Sequence, residues 1–135
     1  MSNKNLFTLA AVIFISVALG WFFAPQLFYG LFGVPVTEPL LYMGRRYSAY
    51  VFGAAVTMWG ARSLETDEAQ RVVLAGGLVT LGLTGIASVY GTATGRVGGF
   101  GWIAGSSELA VAALFAWSLF MKRRAASAPA AKTAP

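Results

Sequence analysis

Glu108 is the residue in this chain whose position most needs a chemical reason. It lies inside GWIAGSSELAVAALFAWSLFMKRR, Gly101 to Arg124, an apolar run closed by three basic residues. A charge near the middle of a bilayer costs from about 3 to above 10 kcal/mol, so it requires a partner or a water-filled cavity. Counted from Phe100, Glu108 is roughly 12 Å into its span at the helical rise, too deep to reach the surface. Arg45 and Arg46 enter the second apolar segment roughly 5 to 6 Å below the same surface, close enough in depth for a guanidinium to reach it. Spacing selects between them. Tyr42, Arg46, Tyr50, Gly53 and Thr57 share one helical face, small and polar, whereas Arg45 shares a face with Ala49, Phe52 and Val56. The expectation is therefore an Arg46–Glu108 ion pair, with Tyr50, Ser106 or Ser107 completing its hydrogen bonds and Arg45 reaching the headgroups or Glu38.

Three uses of such a pair are open at this point. It can be a structural clamp that fixes helix register. It can also belong to an outward-facing polar pocket of Glu108, Arg46, Tyr50, Thr84, Ser88 and Ser107 for a small or amphiphilic ligand. A proton or ion pathway is the third, and a close arginine weighs against it by holding the carboxylate ionised.

Composition limits everything else. The chain has no Cys and no His, which removes thiolates, disulfides, the commonest general base and the usual zinc and haem ligands. No cofactor or metal is expected. Glu65, Asp67 and Glu68 are close together but lack further ligands for a metal loop, and read as a solvated turn that can contribute to a helix start.

Positioning these residues falls to long apolar helices. Of 135 residues, 57% are hydrophobic and 11% charged, the balance of a protein whose solvent is mostly lipid. Four segments approach the roughly 20 residues needed to cross a bilayer: Leu6 to Ala24, Tyr42 to Ala61, Val72 to Tyr90 and Phe100 to Met121. Trp21, Phe22 and Phe23 stand where a signal peptidase needs small residues, so the first is expected to be retained. Between the first two, Pro25 followed by Gln26 to Phe32 predicts a short interfacial helix. The predicted fold is all-α: an integral membrane four-helix bundle, residues 1–124, with a disordered cytoplasmic tail at 125–135.

The basic residues set the orientation. Seven Lys and Arg fall with the two termini and the second loop, against Arg45, Arg46 and Arg96 opposite, which predicts cytoplasmic termini. In this arrangement all four Trp lie near an interface. The net charge of +5 is thus assigned to membrane flanks and not to nucleic acid. Gly76, Thr80, Thr84 and Ser88 form one small stripe, and Gly101, Gly105, Glu108, Ala112 and Ala116 another. These are expected to meet inside the bundle, where small residues allow close approach.

The order of APQLFYGLFGVP, a span opening with GRRYSAYVFGAAVTMWGAR, a Gly-rich third span and a fourth with an intramembrane Glu resembles small bacterial proteins of the DoxX-like superfamily, over roughly Leu6 to Phe120. The resemblance implies a multi-pass inner-membrane bundle, in a group where DoxX relatives are associated with quinone-linked oxidoreductase complexes. With no redox ligand of its own, the chain is expected to be a non-enzymatic accessory subunit of a larger membrane complex, or a binder of a lipid- or quinone-like amphiphile. The alternatives are an isomerase-type membrane enzyme using Glu108 as general acid or base, and a small transporter.

Overall fold

The computed structural model describes residues 2–127, with side chains described as far as Met121. Among the described residues the protein is all-helical: α1 (Asn3–Phe23), α2 (Pro25–Leu31), α3 (Glu38–Ala61), α4 (Asp67–Ala93) and α5 (Phe100–Ser127). Local chemistry sets the helix boundaries. The Ser2 hydroxyl accepts from the Asn5 N–H at 3.3 Å and starts α1. Pro25 begins α2 at a position that needs no amide donor. Thr66 caps α4 by accepting from the Ala69 N–H, and Asp67 and Glu68 in the first turn complement the helix dipole, which gives the acidic cluster its role. Gly33 and Gly95 turn the chain after α2 and α4 with φ of 66° and 69°, conformations that cost a side chain energy.

Three helices, α1, α4 and the Phe100–Met121 part of α5, are long and apolar enough to cross a membrane. α3 is 24 residues long but carries Glu38, Arg45 and Arg46 in its first half. α5 continues to Ser127, into the stretch expected to be tail, and the rest of that stretch, 128–135, lies outside the described residues.

The helices associate in pairs, α1 along α3 and α4 along α5, with far fewer contacts between the pairs. Within each pair, glycines permit the approach. Gly44 of α3 lies against Pro25 and Trp21, and Gly105 of α5 lies against Gly85, Ser88 and Val89 of α4. In lipid, where burial of apolar surface gains little, such close packing is the main source of helix association. The stripe expected on α5 is thus seen, with Gly101, Gly105 and Ala112 buried. On α4 the buried face is Leu74, Gly77, Leu81 and Gly85, while Gly76 and Thr80 of the expected stripe are exposed.

The two pairs close on each other at one end. Phe7 and Phe115 meet edge to face with ring centroids 6.5 Å apart, among Leu6, Leu74, Met58 and Ala61. At the same end the Asn3 amide donates to the Gln70 side-chain carbonyl at 2.8 Å, and Gln70 donates to the Leu64 carbonyl at 2.6 Å. At the opposite end the pairs are bridged only superficially: the Gly98 N–H donates to the Phe32 carbonyl at 2.5 Å, and Phe32 meets Phe100 edge to face at 5.3 Å. Between bridge and closed end, the pairs stand apart.

Candidate ligand cavity between the helix pairs

The space left between the pairs is a cavity of about 410 Å³ lined from all five helices. Ala10, Phe14 and Val17 of α1, Val51 and Ala54 of α3, Leu81 of α4 and Val111 of α5 make its walls apolar. Toward the bridged end the walls become aromatic. Trp21 stacks on Phe28 at 4.8 Å and presents its edge to Tyr29 and Tyr47, at 5.1 and 5.7 Å. Tyr29 is fixed by donating its hydroxyl to the Leu40 carbonyl at 2.7 Å. A side chain at Gly20 would collide with the Phe28 ring, so this glycine admits the stack. A second cavity, about 320 Å³, lies between α3 and α4 and shares Phe14, Ala54 and Thr80 with the first. The main cavity therefore adjoins a lateral gap in the bundle.

Glu108 is half-buried in the wall. Its carboxylate accepts a hydrogen bond from the Ser88 hydroxyl at 3.3 Å, across the α4–α5 interface. Most helix hydroxyls in this protein donate back to their own backbone, among them Thr8, Ser16, Thr57, Thr92 and Ser107. Ser88 instead donates to a side chain on the neighbouring helix. Thr84 also stands beside the carboxylate. Its hydroxyl lies 3.0 and 3.2 Å from the Thr80 and Leu81 carbonyls, so Ser88 is the hydroxyl whose hydrogen bond is to Glu108 alone.

The residues expected to act together divide into two groups. Glu108, Tyr50, Thr84 and Ser107 line the cavity, and Ser88 supports Glu108 from behind. Arg45 and Arg46 are exposed and lie off the cavity wall, and no ion pair joins Arg46 to Glu108. The reason is helix phase. The buried face of α3 is Gly44, against Trp21 of α1, with Ser48, Ala55 and Met58, which turns Tyr47, Tyr50, Val51 and Ala54 toward the cavity. At about 100° per residue this leaves Arg46 nearly opposite the packed face. Sequence reasoning placed the inward face one residue out of register, and so missed Tyr47. The small residues Gly44, Ser48 and Ala55 at spacings of four and seven were the signal for the true packing face. Trp21 and Phe28, expected at the interface, line the cavity together with Phe100, and nothing local in the sequence marks an aromatic as cavity lining.

Fold and site together define a class: an all-helical protein with three helices apolar enough to cross a membrane and an apolar, aromatic-ended cavity holding one carboxylate. The chain belongs to the family described as a domain of unknown function, DUF8292, whose model matches residues 2–120. Comparison with curated proteins and with solved structures returned no match, and nothing in these comparisons links the chain to the DoxX-like superfamily.

Proposed function

We propose that this is a four-span protein of the bacterial inner membrane, with both termini cytoplasmic, that binds a lipid- or quinone-like amphiphile between its helix pairs. It acts as a binder or as an accessory subunit of a larger complex, and not as an enzyme. The reading is carried by one observation: a cavity of about 410 Å³, apolar along most of its wall and aromatic toward one end, with a half-buried carboxylate in the wall held by a hydrogen bond from Ser88. An amphiphile has that distribution of chemistry, and pockets of a few hundred Å³ with few convergent polar groups are the usual form of a small-molecule site.

α3 serves as the fourth span. Its 24 residues cover roughly 36 Å, and Tyr47 to Ala61 is free of charge. Arg45 and Arg46, exposed near its start, can extend their stems along the helix and place their guanidiniums among the headgroups. The isomerase-type alternative gains from the same geometry, because no arginine holds Glu108 ionised; general acid–base work requires a carboxyl free to exchange its proton.

Native mass spectrometry of the full chain extracted from its own membrane tests the binding reading. The wild type and Arg45→Gln, whose side chain lies outside the cavity, should release the same amphiphile. Ala104→Phe, which fills the cavity from α5, should lose it. An identical complement of bound molecules in wild type and Ala104→Phe would refute the proposal.

A further inference from the structure

We infer that the cavity selects amphiphiles with a positively charged head, held between Glu108 and the aromatic wall. The inference rests on the reading that the cavity holds an amphiphile, and narrows that reading to one charge class. Its basis is a census of what faces the site. α5 contributes Glu108 and the Ser107 hydroxyl; α4 contributes the Thr80 and Thr84 hydroxyls, with Ser88 behind; α3 contributes the Tyr47 and Tyr50 phenols. α1 and α2 contribute apolar side chains and the Trp21 indole. Among the described residues no Lys or Arg lines the cavity, and Arg45 and Arg46 are exposed and off its wall. The carboxylate thus has hydrogen-bond support from the chain but no counter-charge.

Three classes of head can be compared against this lining. A phosphate or carboxylate would meet Glu108 as a like charge in a low-dielectric site, with no donor cluster to offset the repulsion. A neutral hydroxyl could bond to Glu108 but would gain nothing from the aromatic groups beyond contact. An ammonium or phosphonium gains twice, by neutralising the carboxylate and by lying against the negative faces of the rings. Tyr47 and Tyr50 line the same cavity as the carboxylate, with Trp21 and Phe28 further along its wall, and these rings offer a cation aromatic surface in the cavity that holds Glu108.

Tetraphenylphosphonium and tetraphenylborate have nearly the same shape and opposite charges, and they isolate the charge preference. Radiolabelled tetraphenylphosphonium should bind saturably to the full chain in mild detergent, and radiolabelled tetraphenylborate, measured in a separate titration, should not. Glu108→Gln should weaken binding by roughly 10-fold, because it removes the negative charge that attracts the cation, and Glu108→Asp should recover part of it. Tyr50→Leu should weaken it by several-fold. Because a proton and the cation compete for the same oxygens, affinity in the wild type should fall as pH is lowered, and this dependence should vanish in Glu108→Gln. Equal binding of tetraphenylphosphonium by wild type and Glu108→Gln, or equally tight saturable binding of tetraphenylborate by the wild type, would overturn the inference. If that happens while Ala104→Phe still loses a native amphiphile, the cavity stands and the charge selection falls. If Ala104→Phe changes neither the native amphiphile nor phosphonium binding, the cavity reading falls as well.

Discussion

Ser88 donates its hydroxyl to Glu108 instead of to its own helix, and the size of that bond indicates its purpose. Hydrogen bonds between helices in membranes average about 0.6 kcal/mol and reach about 1.7 kcal/mol at most. Ser88→Ala should therefore reduce stability by about 0.6 kcal/mol in a detergent unfolding titration. A bond that small is a weak fastener but a sufficient orienting device, since it selects one carboxylate rotamer over others. The same measurement applies to Arg46. An exposed guanidinium unpaired with Glu108 should contribute little, so Arg46→Gln should change stability by less than about 0.5 kcal/mol. Combined with Glu108→Gln, its effect should add within about 0.3–0.5 kcal/mol, as for residues that share no partner. A larger coupling energy would mean that the two side chains meet, as their depths in the sequence first implied.

Helix phase decides which residue faces what, and α4 offers a sharp test of it. A side chain at Gly77 would run into the Phe115 ring and the Met58 methyl, whereas at Gly76 nothing lies within 4 Å. Gly77→Leu should thus destabilise the bundle by about 1–3 kcal/mol or more through overpacking, and Gly76→Leu should leave its melting temperature nearly unchanged. Equal effects would mean that α4 packs through another face. This contrast also marks where sequence reading succeeds and where it stops. The existence and order of the helices were legible, because apolar runs separated by Pro25, Gly33 and a polar turn leave few other solutions, whereas α3, α4 and α5 extend several residues beyond the apolar runs. The α5 stripe was legible because Gly101, Gly105 and Ala112 recur on one side. Phase was harder on α3 and α4, where adjacent residues are both small or both polar. Gly76 beside Gly77 and Arg46 beside Tyr47 differ by one position in the chain and by about 100° around the helix. The pairing of α1 with α3 and of α4 with α5, and hence the cavity between them, depends on that phase and on tertiary packing, which no local signal encodes.

At the scale of the whole molecule, the α1–α3 and α4–α5 pairs close at the end that holds Asn3, Leu64 and Gln70 and part toward the end that holds α2 and the α4–α5 turn. If Lys4, Arg62 and Arg71 mark the cytoplasmic face, the aromatic end of the main cavity lies toward the periplasmic leaflet, and the gap between α3 and α4, lined by Thr57, Met58, Val72 and Gly76, lies in the cytoplasmic half. The chain has no cysteine, so single cysteines report topology without background. Thr37, Ser63 and Thr94 are exposed and fall at the start of α3, between α3 and α4, and at the end of α4. Thr37→Cys and Thr94→Cys should react with a membrane-impermeant maleimide in right-side-out vesicles, and Ser63→Cys only in inverted ones. The informative comparison is Thr37→Cys with Ser63→Cys, because α3, with Arg45 and Arg46 in its first half, falls outside the helices that are apolar enough to cross on composition. Opposite labelling of these two positions would establish that α3 crosses, supported by its packing along α1 and by arginines extended to the headgroups. Labelling of both from the same side would mean that α3 does not traverse the bilayer, and the four-span arrangement, with the cavity it encloses in the membrane, would have to be abandoned.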